Sequence, residues 1–331
     1  METKKKVLVT GANGLLGAHI VRELVKRKYS ARVLVRKKSD LSALKGLDIE
    51  FFYGKITQKK DVFEAVRNCS FLIHSAAKTS PKPSDVEAFK TPNITSTEHC
   101  IEASKKFRLK RLVYVSTANT LGNGTLDNPG NEEQPFMPWL EKSGYAYSKF
   151  IAQQMVLNET RNGTLNAVVV NPTFIIGDND VKPSSGQIFS QILNKPVAFY
   201  PPGGKNFVDA EAAAIGAVNA MEKGKQGECY LLAGENMLYK DFYKMTVEIA
   251  GQNPVLIPVP RFILMGLGYL GDFSENVLKW PVRLSKVNAR MLCEENFYTP
   301  EKAMKELDLP FIPAREAAKK AIDWFRANNY F

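Results

Sequence analysis

The amino-acid sequence predicts an α/β fold, a doubly wound parallel sheet with a smaller, mostly helical C-terminal lobe. Three observations lead to this prediction. Continuous apolar runs alternate with segments of helical period, a glycine-rich turn joins the first run to the first helix, and Pro, Gly and Ser become frequent after Pro172. Strands that are apolar throughout are typical of a sheet covered by helices on both faces. The 331 residues, 44% of them hydrophobic, suffice for a large core.

Six apolar runs have the length of a strand, and helical patterns separate them. The predicted strands are "KKVLVT" (5–10), "ARVLVR" (31–36), "IEFFYG" (49–54), "CSFLIHSAA" (69–77), "KRLVYVSTA" (110–118) and "LNAVVVNP" (165–172). The predicted helices include "AHIVRELVKRK" (18–28), "KKDVFEAVRN" (59–68), "TSTEHCIEASKKF" (95–107) and "AYSKFIAQQMVLNE" (146–159). Strand and helix thus alternate in the order of a parallel sheet.

The change in composition after Pro172 divides the chain into two parts. Residues 1–175 are predicted to form a nucleotide-binding domain, to which one later strand, "GECYLLAG" at 227–234, returns. Residues 176–331 are predicted to form mainly a substrate-binding lobe, otherwise helical, over the carboxyl ends of the strands. Ligands of open α/β sheets bind at that edge.

Composition excludes several classes of function. The net charge of +11 is spread over the whole chain, without an arginine-rich run beside aromatics, so we expect no nucleic-acid partner. A glycine loop soon interrupts the apolar stretch near the N-terminus, which is not the pattern of a signal peptide. Isolated cysteines predict neither disulfides nor zinc and suit a reducing compartment, so we expect a cytoplasmic protein without a metal. The isolated residues are Cys69, Cys100, Cys229 and Cys293, with His19, His74 and His99.

The turn "TGANGLLG" lies between the first strand and the first helix. Its glycines are Gly11, Gly14 and Gly17, with Asn13 and Leu15 between them. The first glycine allows a tight turn, the second lets the backbone approach a pyrophosphate, and the third lets helix and strand pack closely. The phosphates would then lie at the helix N-terminus. This loop predicts a dinucleotide site on a Rossmann sheet.

Further motifs follow in a recognisable order. They are "HSAA" after the fourth strand, "PNITSTEHCIEA", "VYVSTANTLG" at the fifth strand, "YAYSK" and "NPTFIIG" after the sixth. With the glycine loop, they resemble the extended short-chain dehydrogenase/reductases of the NAD-dependent epimerase/dehydratase superfamily, over nearly the whole chain. The C-terminal half looks most like the dihydroflavonol-reductase and 3β-hydroxysteroid-dehydrogenase-like branch, with "PVPRFILMGLGYLGDF" and "YTPEKAMKELDL".

The end of the second strand bears on the choice of cofactor. NAD enzymes tend to carry an acidic residue there for the ribose hydroxyl, whereas this chain has Arg36, Lys37 and Lys38. A guanidinium can pair with a 2′-phosphate, so NADP(H) is predicted as the preferred cofactor, with NAD(H) as the second choice. The resemblance also implies an aspartate near the adenine, where this chain has Lys55 after Gly54.

The stretch "GYAYSK" holds the predicted chemistry. Tyr145 and Lys149 are four residues apart and share a helix face, whereas Tyr147 points elsewhere. An ammonium group one turn away favours the phenolate and lowers the pKa of a tyrosine, so Tyr145 is predicted as the acid–base and Tyr147 to pack or line the pocket. The resemblance implies that Lys149 also holds the nicotinamide ribose and that Thr117, with Ser116 beside it, orients the carbonyl oxygen.

Other positions follow from the resemblance alone. It implies that Ser75, Ala76 and Ala77 lie along the ribose and phosphates of the cofactor, and that Pro172 and Thr173 border the nicotinamide. Asn93 either helps to order the site, as in the family, or caps a helix after Pro92.

The predicted substrate pocket differs from that of nucleotide-sugar enzymes. Phe174 stands where they carry asparagine, and Asn119 follows Ala118 where dehydratases carry an acidic pair. Lys205 stands where a diphosphate-binding arginine is expected. These departures favour a less polar substrate.

We therefore predict an NADP(H)-dependent oxidoreductase that reduces a ketone or aldehyde on a small, relatively apolar molecule. The alternatives are a nucleotide-sugar epimerase and a non-catalytic NADP-sensing regulator, though the intact "YAYSK" argues against the second. The apolar stretch 259–273 is short and contains an arginine, so it predicts a lobe helix and no stable membrane insertion. The sequence leaves open a homodimer, and contact of 259–273 with a membrane surface.

Overall fold

The structure is a computed structural model that describes residues 5–80, 86–277 and 284–330. Its main sheet has seven parallel strands in the order β3-β2-β1-β4-β5-β6-β10. These are β1 (Lys6–Thr10), β2 (Ser30–Val35), β3 (Glu50–Tyr53), β4 (Phe71–His74), β5 (Arg111–Val115), β6 (Ala167–Pro172) and β10 (Cys229–Leu232). The predicted doubly wound parallel sheet is thereby confirmed.

The described chain also contains helices and shorter strands, joined by turns and loops. The helices are α1 (Leu15–Lys26), α2 (Lys59–Ala65), α3 (Glu87–Phe89), α4 (Ser96–Lys106), α5 (Gly144–Arg161), α6 (Gln187–Ile192), α7 (Ala210–Lys223), α8 (Tyr239–Ala250), α9 (Arg261–Asn276), α10 (Lys286–Cys293), α11 (Glu301–Leu307) and α12 (Ala314–Ala327). The other strands are β7 (Phe174–Ile176), β8 (Val197–Tyr200), β9 (Gly204–Asp209), β11 (Glu235–Leu238), β12 (Val255–Pro258) and β13 (Glu295–Asn296). A π-helical turn, Lys90–Thr95, joins α3 to α4, and a 3₁₀ turn, Pro138–Lys142, precedes α5.

Helices pack on both faces of the main sheet. One face buries α1 and α7 against valines of the strands, such as Val9 and Val170. The other face buries α2, α4 and α5 through residues such as Val62, Cys100 and Val156. Burial on both faces explains why the central strands β1, β4, β5 and β6 are almost entirely apolar, whereas the edge strand β3 is largely exposed.

The lobe has its own core, formed by α6, α8, α12 and the strands between them. Phe207 on β9 lies parallel to Phe242 on α8, with ring centroids 4.0 Å apart. The prediction of helices alone after residue 234 was wrong, because β11, β12 and β13 also form there. These strands have two to four residues, too short for an alternating pattern to show.

More of the later chain returns to the main sheet than the one predicted strand. The alanine-rich α7 packs on α1, and α11 packs on α7, with Ala213, Ala217, Ala303 and Leu307 buried between them. The small side chains of α7 allow this close packing on the sheet. Among the described residues, no helix has the length and hydropathy needed to cross a bilayer.

Candidate active site

The glycine loop after β1 is shaped by close contacts with the neighbouring strand end. Gly11 has φ +71°, and a Cβ there would lie 2.6 Å from the backbone nitrogen of Ala76. A Cβ on Gly17 would lie 2.1 Å from the carbonyl oxygen of Gly11. Both positions therefore require glycine for the fold itself.

Gly14 differs from these two glycines. A Cβ there would meet the Gly11 oxygen at 3.4 Å, an ordinary contact, so packing within the protein does not demand glycine. Gly14 precedes the first turn of α1, which no side chain caps. This open backbone at a helix N-terminus fits a pyrophosphate.

A chain of buried hydrogen bonds runs from the glycine loop to α4. The backbone N–H of Ala76 donates to Thr10 Oγ1 over 3.3 Å, and Thr10 Oγ1 lies 2.8 Å from His74 Nδ1. His74 Nε2 lies 3.2 Å from Thr97 Oγ1, which itself donates to the Asn93 carbonyl. Thr97 must then accept from Nε2–H, so Nδ1 accepts the Thr10 proton. Burial, together with the Lys149 charge, lowers the pKa of His74 to about 3, which agrees with a neutral ring.

Asn93 continues this chain to α5. Its side-chain oxygen accepts from the Lys78 N–H over 2.7 Å, and its nitrogen donates to Lys78 O and to Ser148 Oγ. Ser148 in turn donates to the carbonyl oxygen of Tyr145 over 2.9 Å. Asn93 lies inside the π-helical turn and caps no described helix, so the helix-cap alternative is wrong, and its role in ordering the site stays a prediction.

Lys149 is buried, with 2% of its surface exposed. Its ammonium group donates to the Val115 carbonyl over 2.8 Å and lies 4.2 Å from the centre of the Tyr114 ring. Because burial penalises the charged form, the pKa of Lys149 falls to about 7. The cation thus lies at the carboxyl end of β5.

Tyr145 is half-buried, and its phenol lies near the Thr117 side chain, just after β5. Burial raises the pKa of Tyr145, and the nearby Thr117 hydroxyl offsets only part of that rise. This differs from the sequence argument, in which Lys149 lowers the pKa of Tyr145. Desolvation prevails here, so the phenol is neutral at ordinary pH and can donate a proton.

The other tyrosine of the stretch lies in a different environment. Tyr147 packs against Phe136, with nearly parallel rings and centroids 6.2 Å apart, and Phe136 stacks in turn on Phe150. The i,i+4 argument therefore separates the two tyrosines as the structure does.

A second polar network, absent from the sequence analysis, lies behind Thr117. The side-chain nitrogen of Asn171 donates to the Thr117 carbonyl, to Thr120 Oγ1 and to Gln153 Oε1 over 2.8–3.1 Å. The buried Ser116 hydroxyl has no hydrogen-bond partner among the described residues. The asparagine before Pro172 was the available signal, since a polar residue inside an apolar strand needs partners.

The predicted pocket residues lie where β6 passes into the lobe. Thr173 donates to Asn206 on β9 over 2.7 Å. The ammonium group of Lys205, also on β9, lies 5.5 Å from the centre of the Phe174 ring, and burial lowers its pKa to about 8. No salt bridge among the described residues involves Lys205. Phe174 and Lys205 thus form a wall that is aromatic and cationic at once.

The basic residues after β2 are exposed. Arg36, Lys37 and Lys38 form no salt bridge within the described chain. Asn13 donates to the Asp40 carbonyl in the same loop, over 3.4 Å. The backbone N–H of Lys55, at the predicted adenine position, donates to Asp61. The cationic loop and the glycine loop are thus adjacent.

The protein is an NAD(P)-dependent oxidoreductase on a Rossmann sheet, as its relatives named as reductases and dehydrogenases show. Residues 7–233 match the model of the NAD dependent epimerase/dehydratase family, and the chain belongs to that family. The chain is 29% identical to a putative dihydroflavonol 4-reductase of Synechocystis, over 97% of this chain and 95% of that protein. It is 28% identical to sterol demethylase protein B of Methylococcus capsulatus, over 96% and 98%. A crystal structure described as a nucleoside-diphosphate-sugar epimerase from Pseudomonas aeruginosa superposes with TM-score 0.82 at 26% identity, over 99% of both chains.

Proposed function

We propose that the protein reduces a ketone or aldehyde on a small, relatively apolar substrate, with NADPH as the preferred cofactor. The observation that carries this proposal is the meeting of Tyr145, Thr117 and Lys149 at the carboxyl end of β5. A neutral phenol, a hydroxyl and a buried ammonium group are the donors that a carbonyl needs when charge develops on its oxygen.

The dinucleotide would be held by the glycine loop, by Ser75–Ala77 and by Pro172 and Thr173, and when bound it supplies the hydride. Tyr145 donates its proton to the substrate oxygen while the carbonyl carbon gains the hydride, and the product is an alcohol. Thr117 orients Tyr145 and the oxygen, with the free hydroxyl of Ser116 beside it. Lys149 then stabilises the phenolate until water returns the proton.

The preference for NADPH rests on the exposed cations after β2. A ribose 2′-phosphate would find the Arg36 guanidinium there, with Lys37 beside it. Charge-assisted bonds of this kind contribute about 1.5–3 kcal/mol each.

An apolar substrate is supported by Phe174 and by the turn Ala118–Asn119. Phe174 offers an aromatic face, and no acidic residue follows Thr117 in that turn. The relatives named for a sterol and for dihydroflavonol agree with such a substrate. The four cysteines are free, which suits the cytoplasm that we propose as the compartment.

Epimerisation of a nucleotide sugar is the second candidate function. The relative described as a nucleoside-diphosphate-sugar epimerase favours it, and so does the unpaired cation of Lys205. A single lysine, however, offers one charge to a diphosphate that carries two.

The deciding experiment incubates the purified protein with a panel of apolar and aromatic carbonyl compounds and follows the oxidation of NADPH. Nucleotide sugars are tested in parallel for a 4-epimer, without added reductant. We expect carbonyl reduction and no epimer. A 4-epimer from a UDP-sugar would contradict the proposal, and tight NADPH binding with no turnover of any compound would favour the regulator.

A further inference from the structure

Helix α9 exposes most of its large apolar side chains and packs on α10 through a glycine. A Cβ on Gly268 would lie 2.8 Å from the Ala289 Cβ and 2.9 Å from the Lys286 Cα, so α9 packs closely on α10 through glycine. Leu264, Gly268 and Gly271 lie on this buried side. A surface helix ordinarily turns its large apolar residues toward the core. Here the close packing fixes the opposite orientation.

The side of α9 that points away from the protein is apolar, and we call it the outer face. Phe262 is 75% exposed, Leu270 66% and Phe273 57%. At 100° per residue, the exposed apolar residues of α9 fall within one arc of the helix. They are Phe262, Ile263, Leu267, Tyr269, Leu270 and Phe273. The preceding strands add exposed Phe199, Val255 and Ile257.

The charged residues near the outer face lie at its edges. Arg261 is exposed and pairs with Glu294 over 3.1 Å. Two carboxylates of the segment 253–277, Asp272 and Glu275, are partly buried, and Asp272 accepts from the backbone N–H of Lys286. The Lys286 ammonium group lies 4.3 Å from the centre of the Tyr269 ring, at the edge of the face. An apolar face with a lysine at its edge fits a helix that lies in the interface of a membrane.

We propose that the outer face of α9 docks onto an anionic lipid bilayer, with the helix parallel to the membrane surface. The helix is about 24 Å long at 1.5 Å per residue, less than the roughly 30 Å of the hydrocarbon core, so it cannot cross. A second copy of the chain is a poorer occupant, because each copy carries a net charge of +11 and the two copies would repel. An anionic surface attracts the whole molecule, including Lys286 at the edge of the face.

The position of α9 connects this face with the candidate site. Helix α10, on which α9 rests, packs through Val287 against Leu140 and Ala146. Ala146 is next to Tyr145 in α5. If the proposed apolar substrate is correct, a molecule dissolved in the bilayer would be presented one helix away from the catalytic tyrosine. The docking itself does not depend on that substrate.

Co-sedimentation with lipid vesicles tests the docking without any turnover. Full-length protein is mixed with vesicles of phosphatidylcholine alone or with added phosphatidylglycerol. We expect binding to the anionic vesicles, weakened by salt, and a loss of about tenfold or more in the triple variant Phe262→Ser, Leu270→Ser, Phe273→Ser. The matched control is Phe311→Ser, since Phe311 is 52% exposed but lies outside the outer face.

Three outcomes would overturn the docking proposal. The first is wild-type protein that stays in solution with anionic vesicles, and the second is equal binding by the triple variant. The third is a dimer, seen by sedimentation velocity, that the triple variant loses while vesicle binding is absent. Circular dichroism and NADPH titration of the triple variant establish that it is folded. Failure of vesicle binding with carbonyl reduction intact would leave the proposed function standing.

Discussion

The candidate site and the outer face of α9 are opposites in what they bury and expose. At the site, an ammonium group, an imidazole and several hydroxyls lie inside the protein, held by hydrogen bonds. On α9, most large apolar side chains lie outside, while Gly268 and Gly271 face the interior. Both arrangements run against ordinary burial. The two regions therefore differ in which property they lower. The buried polar groups of the site lower the stability of the folded protein, whereas the exposed apolar face of α9 lowers its solubility.

The largest effect is expected at the phenol of the site. Tyr145→Phe should lower kcat by roughly 10²–10⁴-fold, because the proton donor acts in the transition state. NADPH affinity and vesicle binding should stay close to wild type, which would separate the two regions. Tyr147→Phe, in which the ring still packs on Phe136, is the control and should be mild. An inactive Tyr147→Phe beside an active Tyr145→Phe would refute the assignment.

The next largest effect is expected on cofactor affinity, at the exposed Arg36. Arg36→Asp should weaken NADPH by about ten- to a hundredfold, because a bond is lost and repulsion is added. NADH affinity should be unchanged or improved, since a carboxylate accepts from ribose hydroxyls. Titration of both cofactors into wild type and variant measures this. Equal wild-type affinities, or an unchanged ratio in the variant, would leave Arg36 as an ordinary surface charge.

The free-energy cost of burying Lys149 should appear in the pH dependence of the stability. The pKa of Lys149 is about 7 in the folded protein against an ordinary 10.5, so between these values the unfolded chain binds a proton that the folded chain does not. Stability should therefore fall as pH decreases from 10.5 to 7. The Lys149→Met variant has no titrating group at this position, so its stability should not fall over this pH range. It should be more stable than wild type near pH 7 by about 1–3 kcal/mol, though inactive.

Denaturant unfolding at several pH values measures this difference. Lys225→Met is a suitable control, because Lys225 lies on the surface in an ion pair with Glu306. If Lys149→Met were less stable than wild type at pH 7, the bond to Val115 would outweigh desolvation, and the contrast between the two regions would weaken.

The smallest effect is expected on α9. Leu270→Ser should change the free energy of unfolding by no more than about 0.5 kcal/mol, because the side chain has little to lose in the folded state. Gly268→Leu, on the opposite side of the same helix, should destabilise by about 1–3 kcal/mol through overpacking against α10. Thermal unfolding compares the two variants. A large loss in Leu270→Ser would mean that this side chain is packed within the protein.

Much of the fold could be predicted from the sequence because its signals are local. The central strands of the main sheet are almost entirely apolar, and the glycine loop is contiguous. The separation of Tyr145 from Tyr147 needs only helix geometry. The short strands β11, β12 and β13 offer too few residues for a pattern.

The parts of the site that the sequence did not predict depend on residues that are far apart in the chain. Thr10, His74 and Thr97 meet only because β1 and β4 are neighbours and α4 packs on β4. The sequence of residues 144–149 does not show how deeply Tyr145 and Lys149 are buried. The predicted lowering of the Tyr145 pKa was therefore wrong, because burial raises it. For α9, the sequence shows apolar residues and glycines, but the contact with α10 decides which side is out.

Strand β10, placed beside β6, has a consequence for how the protein can be made and divided. The sheet that begins at residue 6 is completed only by residue 232, with α7 between them in the chain. During synthesis, one side of β6 stays unpaired until some sixty further residues have been added, at about 5–20 residues per second. A fragment that ends near residue 175 would keep that apolar edge permanently and would aggregate. The smallest unit that can be expressed alone therefore extends past β10, and Tyr145 cannot be separated from the lobe that follows it.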